Sequence, residues 1–167
     1  MKQLVSRGEN YTEMLPSFRS LILKLGVQAD DAVIFSGCPG TCYSMATFLA
    51  FGIRDLGFKI YFAVNSDLNQ LWHLDYVDHL GMVGANKVEP VQAQVLILMS
   101  GLMRVPLEGT LSLVREALAP GGHIIGETVV PGLFEDSKWD QQIPFHGFFE
   151  FEMRNPASYL AIEEKKG

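Results

Sequence analysis

The segment Ala32-Val33-Ile34-Phe35-Ser36-Gly37-Cys38-Pro39-Gly40-Thr41-Cys42-Tyr43-Ser44 constrains the fold of this chain more than any other stretch. Its opening, Ala32 to Ser36, is an unbroken apolar run of strand length, as expected of a parallel strand buried on both faces. Glycines and a proline then turn the chain, and Met45 to Ile53 continues as a helix-compatible stretch. A strand that passes through a small-residue turn into a helix begins a crossover unit, and free backbone N–H groups collect at the helix N-terminus. Both cysteines of the protein lie in this turn.

The rest of the chain alternates in the same way. Phe18, Leu21, Ile22 and Leu25 recur at helical spacing, so Glu13 to Leu25 reads as a helix, with Pro16 near its start and Gly26 at its stop. Met45, Leu49, Ile53 and Leu56 carry the second helix to Gly57, and Lys59 to Val64 reads as the second strand, ending in Asn65-Ser66-Asp67. Leu68 to Leu80, closed by Gly81, reads as a helix, and residues 85–91 as a short edge strand. Val95 to Met99 is a central strand. Leu107 to Leu118 is an amphipathic helix stopped by Pro120-Gly121-Gly122, and His123 to Val129 is the following strand. Phe134 to Gln142 reads as a short helix, and Phe148 to Met153 with Ser158 to Ile162 as an antiparallel strand pair joined through Asn155-Pro156. The expected fold is α/β: a three-layer Rossmann-like sandwich with a mostly parallel sheet and a C-terminal antiparallel strand pair.

Composition narrows the function classes. A chain of 167 residues suits one domain, and 48% hydrophobic against 19% charged residues is the balance of a packed protein. The formal net charge is −6, with no cluster of lysine or arginine beyond Lys165-Lys166, which argues against nucleic acid as a partner. Lys2, Arg7, Glu9 and Glu13 interrupt the N-terminal region, so no secretory leader is expected. Apolar runs such as Val95 to Met99 are far too short to span a bilayer. The reading is a soluble cytoplasmic protein whose two cysteines stay reduced.

Two resemblances follow from particular residues. The segment from Leu113 to Ile125, with Pro120-Gly121-Gly122 at its centre, resembles the helix-to-strand passage of Rossmann-like S-adenosylmethionine-dependent methyltransferases. That resemblance implies a methyltransferase-like strand order and a nucleotide-like cofactor, S-adenosylmethionine or another, at the strand ends. The cofactor turn departs from that family: Phe35-Ser36-Gly37-Cys38-Pro39-Gly40 has no acidic residue and carries a proline. Asp67, or Asn65, would stand for the acid that holds the ribose. A second resemblance rests on Gly37-Cys38-Pro39-Gly40-Thr41-Cys42, on Ala46-Thr47-Phe48-Leu49-Ala50 with Arg54-Asp55, and on Ser100-Gly101-Leu102. Over most of its length the chain resembles an uncharacterised archaeal domain-of-unknown-function family of methanogens, which implies a setting but no mechanism.

The candidate site gathers at the strand C-terminal ends. Gly37, Pro39, Gly40, Thr41 and Ser44 are expected to meet a small ligand through backbone N–H groups and hydroxyls, with Asn65, Asp67, Ser100 and Gly101 lining the same crevice. There is no P-loop lysine. Cys38 sits where a helix N-terminus stabilises a thiolate, with Cys42 four residues on; the plainer alternative is a pair of small, inert, buried thiols. Glu127, at the end of a strand, is a candidate acid or base. His73, Asp75, Asp78 and His79 form a polar cluster, with Asp75 and His79 expected to share a helix face. No metal site is expected, because further ligands at suitable spacing are missing. The Phe145-to-Phe151 aromatics are expected to serve the core or the contact of a homodimer. Three functions follow: a nucleotide-like small-molecule binder related to methyltransferases, a thiol-dependent enzyme using Cys38 with Cys42, or a non-catalytic partner subunit.

Overall fold

A computed structural model describes residues 10–152 of the chain. Helix α1 (Tyr11–Lys24) is capped by Asn10, whose side chain accepts from the Thr12 N–H at 3.0 Å. Strand β1 (Ala32–Gly37), helix α2 (Thr41–Phe51) and strand β2 (Lys59–Val64) form the first crossover unit. Strands β3 (Leu71–Val77) and β4 (Gly81–Lys87) make a hairpin. Strand β5 (Ala93–Met99), helix α3 (Leu107–Ala117) and strand β6 (Leu118–Thr128) form the second unit, and the short helix α4 (Leu133–Asp136) and strand β7 (Gly147–Glu150) follow.

The strands form one seven-stranded sheet in the order β4-β3-β2-β1-β5-β6-β7. Pairing is parallel from β2 through β1, β5 and β6 to β7, and antiparallel where β3 meets β2 and β4. Both faces are covered. On one, Phe18 and Ile22 of α1 and Ala46, Leu49 and Ala50 of α2 pack on Val33, Phe35, Ile97 and Met99. On the other, Leu113 and Ala117 of α3 with Phe134 and Trp139 pack on Ile34, Leu96, Leu98 and Ile124. Residues alternate between the layers along each strand, and β1 from Val33 to Gly37 and β5 from Val95 to Met99 are buried because helices cover both sides. This is the expected three-layer α/β sandwich.

Several elements depart from the sequence expectations. Residues 68–80 are not a helix: Leu68–Gln70 is a single 3₁₀ turn, and β3 and β4 follow. Leu68, Leu71 and Leu74 are spaced as on a helix, yet β3 pairs with β2 and its bulge between His73 and Leu74 breaks strict alternation. Gly81, with φ of 89°, ends the hairpin turn and does not stop a helix. His73 therefore contacts Asp75 (3.2 Å) and His79 contacts its neighbour Asp78 (3.2 Å), so the expected Asp75–His79 pair does not form. Pro120-Gly121-Gly122 lies inside β6, at an irregularity in its pairing with β5, with Gly121 at φ of 75°. Strand β7 pairs parallel with β6, while residues 158–162, the second member of the expected closing pair, lie outside the described residues. The aromatic stretch near β7 packs inward: Phe145 lies 5.0 Å from Phe134, and Phe149 lies 5.3 Å from Phe18, ring centre to ring centre. Among the described residues, no helix is long and apolar enough to cross a membrane.

Candidate functional site

The chain leaves β1 through α2 toward β2 on one side, while β5 continues toward β6 on the other. This divergence makes the C-terminal ends of β1 and β5 the switch point of the sheet, the position at which parallel sheets place their ligands. Both cysteines sit there. Cys42, in the first turn of α2, is buried (6% exposed), and Cys38, in the turn before it, is partly exposed. Their sulfurs are 3.2 Å apart.

Two glycines make this seat. A Cβ on Gly37, the last residue of β1, would stand 2.4 Å from Cβ of Cys42 and 3.1 Å from Cβ of Met99. A Cβ on Gly101, just past β5, would stand 2.3 Å from Sγ of Cys42 and 3.0 Å from Sγ of Cys38. Any larger residue at either position would collide with the thiol pair, so the close approach, and not a special backbone angle, requires glycine here.

The two thiols are electrostatically unlike. Burial pushes the Cys38 thiol up, but hydrogen bonds to its sulfur from the Cys42 N–H, the Cys42 thiol, the Thr41 hydroxyl and the Gly40 N–H outweigh it and bring the pKa down to about 7. The Thr41 Oγ1 lies 3.7 Å from this sulfur. No side-chain oxygen caps α2, so the Cys38 sulfur occupies the place of a capping group, and the helix dipole favours its negative form. Cys42 is the reverse case: burial, then the neighbouring Cys38 sulfur to which it donates, push it up to about 11, with the Cys38 and Gly101 backbone only partly offsetting this. A readily ionised thiol thus stands beside one that holds its proton.

The other expected residues divide around this pair. Pro39, Gly40, Thr41 and Ser44 are exposed along the turn and the first turn of α2, and the Ser44 hydroxyl points back to the Gly40 carbonyl at 3.5 Å. Ser100 opens the 3₁₀ turn Ser100–Arg104 that carries Gly101 to the thiols. Asn65 is beside β1, its N–H donating to the Gly37 carbonyl at 2.9 Å. Asp67 lies past β2 with its carboxylate accepting from the Asn69 N–H at 2.9 Å, so it is engaged as the cap of a turn. A cavity lined by Gln94, Pro120, Gly121 and His123 is at the opposite end of the sheet and contains none of these residues.

Glu127 is the residue whose environment the sequence conceals most. It pairs with Met99 on β5 and Phe149 on β7, and it is 2% exposed. Among the described residues its carboxyl has no ion-pair partner, and burial alone pushes its pKa up to about 7. By strand alternation it shares a face with Ile125 and Met99, the α1/α2 face on which Cys42 also packs. Among the described residues, no cluster of side chains is suited to hold a metal ion.

Comparison with known proteins supplies kinship. The family described as "Uncharacterized protein conserved in archaea" (DUF2124) matches residues 9–154. An uncharacterized protein of Methanothermobacter thermautotrophicus is 27% identical over 142 residues, covering 80% of this chain and 90% of that protein. A crystal structure of a protein of unknown function from Methanothermobacter thermautotrophicus superposes with a TM-score of 0.82 at 22% identity, covering 95% of this chain and 98% of that one. The last likeness establishes the fold.

Two outcomes follow from this geometry. Gly101→Ala forces a methyl group onto both sulfurs; it should cost about 1–3 kcal/mol of stability. It should also move the alkylation midpoint of Cys38 upward from about pH 7, as read by iodoacetamide labelling against pH. Glu127 gives a pH-dependent stability. Because its pKa is higher folded than unfolded, its contribution is fully present below about pH 4.5 and is lost as pH rises through about 7. The loss is on the order of 3 kcal/mol, and Glu127→Gln should flatten the fall of the thermal midpoint between about pH 5 and 8.

Proposed function

The chain belongs to the archaeal family DUF2124, and we propose that it catalyses thiol–disulfide exchange, with Cys38 as nucleophile and Cys42 as resolving thiol. The observation that carries this reading is the asymmetry of a contacting pair, one thiol near pKa 7 and partly exposed, the other near 11 and buried. A nucleophile titrating near ambient pH combines thiolate population with reactivity.

The steps balance with a disulfide as the oxidising substrate. The Cys38 thiolate attacks one sulfur of the substrate disulfide, a Cys38–substrate bond forms, and the first half leaves as a thiolate. Cys42 then loses its proton and attacks the Cys38 sulfur, releasing the second half as a thiolate. The substrate has gained two electrons and the protein carries a Cys38–Cys42 disulfide. In a reducing cytoplasm, where we place the protein, the pair rests as two thiols and the disulfide formed is returned to them by exchange with the thiol pool.

A second reading draws on the switch point itself. The α2 N-terminus lacks a side-chain oxygen cap, and Pro39, Gly40, Thr41 and Ser44 are exposed beside it at the point where strand order diverges, with Gly37, Ser100 and Gly101 at the adjoining strand ends. Such a place suits a nucleotide-like ligand, S-adenosylmethionine among them.

The two readings separate in two measurements. With a small aromatic disulfide, wild type should release both thiolates, whereas Cys42→Ser should release one and remain as a mixed disulfide visible by mass; equal release from both proteins would remove the exchange reading. Millimolar S-adenosylhomocysteine at about a hundred times its Kd would add about 2.7 kcal/mol, a rise of several degrees in the thermal midpoint. An unmoved midpoint counts against adenosyl binding and leaves exchange intact.

A further inference from the structure

Cys42 must lose a proton before it can resolve a mixed disulfide. It is 6% exposed, and once Cys38 carries a substrate half, the outer side of the pair is occupied. The neighbours of its sulfur are the Cys38 sulfur, no longer a base once bonded, and the backbone of Gly37 and Gly101. None of these takes up a proton. An ionisable side chain at the neighbouring strand ends would supply the acceptor.

Glu127 lies near those strand ends. The contact with Gly101 places Sγ of Cys42 over the C-terminal end of β5, and Glu127 pairs with Met99 on the adjacent strand. The lateral separation is one strand spacing, about 5 Å, with a further residue or two along the strand. Proton transfer across such a gap runs through water and not by direct contact. A carboxyl 2% exposed without a partner among the described residues is costly to keep, and a purely structural role would be served better by an apolar residue or by a paired one.

Among the described residues packed around Glu127, no other side chain is placed to take the proton. Met99 and Phe149 flank Glu127 in its row, and neither ionises. On α1, Phe18 packs against Phe149, and Arg19 is engaged with Asp55. The buried residues of α2 are Cys42, Ala46, Leu49 and Ala50, of which only Cys42 titrates. On β6 itself the next ionisable side chain on this face is His123, four residues back toward the opposite end of the sheet. Glu150 of β7 accepts from the Gly132 N–H at 3.0 Å.

We propose that Glu127 is the proton acceptor for Cys42 in the resolving step, a positioning residue that acts through that thiol and not on the substrate. The inference rests on the exchange reading. In the step, the Cys42 proton passes to the Glu127 carboxylate, the Cys42 sulfur bonds to the Cys38 sulfur, and the second substrate half departs as a thiolate. The carboxyl returns its proton to solvent afterwards. A group near pKa 7 in this position is half ionised at neutral pH, so a carboxylate is available to take the proton as the sulfur–sulfur bond forms.

The test is stopped-flow release of aromatic thiolate from an aromatic disulfide, which separates attack by Cys38 from resolution by Cys42. Glu127→Gln should leave the first phase and its pH midpoint in place and slow the second by roughly 10²-fold, the lower end of general-base effects. The second phase of the wild type should rise through about pH 7, and this inflection should vanish in the variant. Glu127→Asp should restore part of the rate, and it keeps the test open if the glutamine variant does not fold. A second phase unchanged in rate and pH dependence overturns the inference alone. A wild type that releases a single thiolate overturns the exchange reading and the inference together.

Discussion

The C-terminal end of the sheet depends on one contact: the Cys42 side chain seated against the backbone of Gly37 and Gly101. The connections that leave the paired strands β1 and β5 run to opposite sides there, and the first turn of α2 packs against both strand ends. Only residues without a Cβ at the two strand ends let the helix come so close. That approach brings the helix N-terminus, the Cys38 turn and the end of β5 into one small volume, and the chemistry of the site follows from it.

The same seat makes two chemically identical side chains unlike. Cys38 lies before the helix, where N–H groups and the dipole face it, and its thiolate is favoured. Cys42 lies one turn in, directed at the sheet, and burial keeps its proton on. The asymmetry follows from the place of each thiol relative to the helix and the sheet, and in the proposed exchange it decides which sulfur attacks first and which waits. Glu127 repeats the theme with a carboxyl: burial without a partner among the described residues holds it near neutrality.

Legibility varied with how local the signal was. Strands β1 and β5 are unbroken apolar runs because both faces are covered, and that pattern is readable without a structure. The β3–β4 hairpin was not readable in this way. Leu68, Leu71 and Leu74 carry helical spacing, but they are buried by neighbours in the sheet, and a bulge hides the alternation that would have marked a strand. Asp67 stands near the position expected of a ribose-holding acid, yet its carboxylate is used by the Asn69 N–H in the turn that leads into that hairpin. His73 and Asp75 meet across two residues of a strand, a contact that a helical reading of the same residues would not place.

The sequence by itself determined the α/β class, the strand-turn-helix beginning and the presence of both thiols at a helix N-terminus. These follow from periodicity and turn residues, which act over a few positions. Tertiary structure alone decided the difference between the two thiols, the need for glycine at Gly37 and Gly101, and the burial of Glu127 beside Met99. Each of these arises where β1, β5, β6 and α2 converge from distant parts of the chain. Desolvation and close contact depend on what lies across that junction, and no local pattern records it.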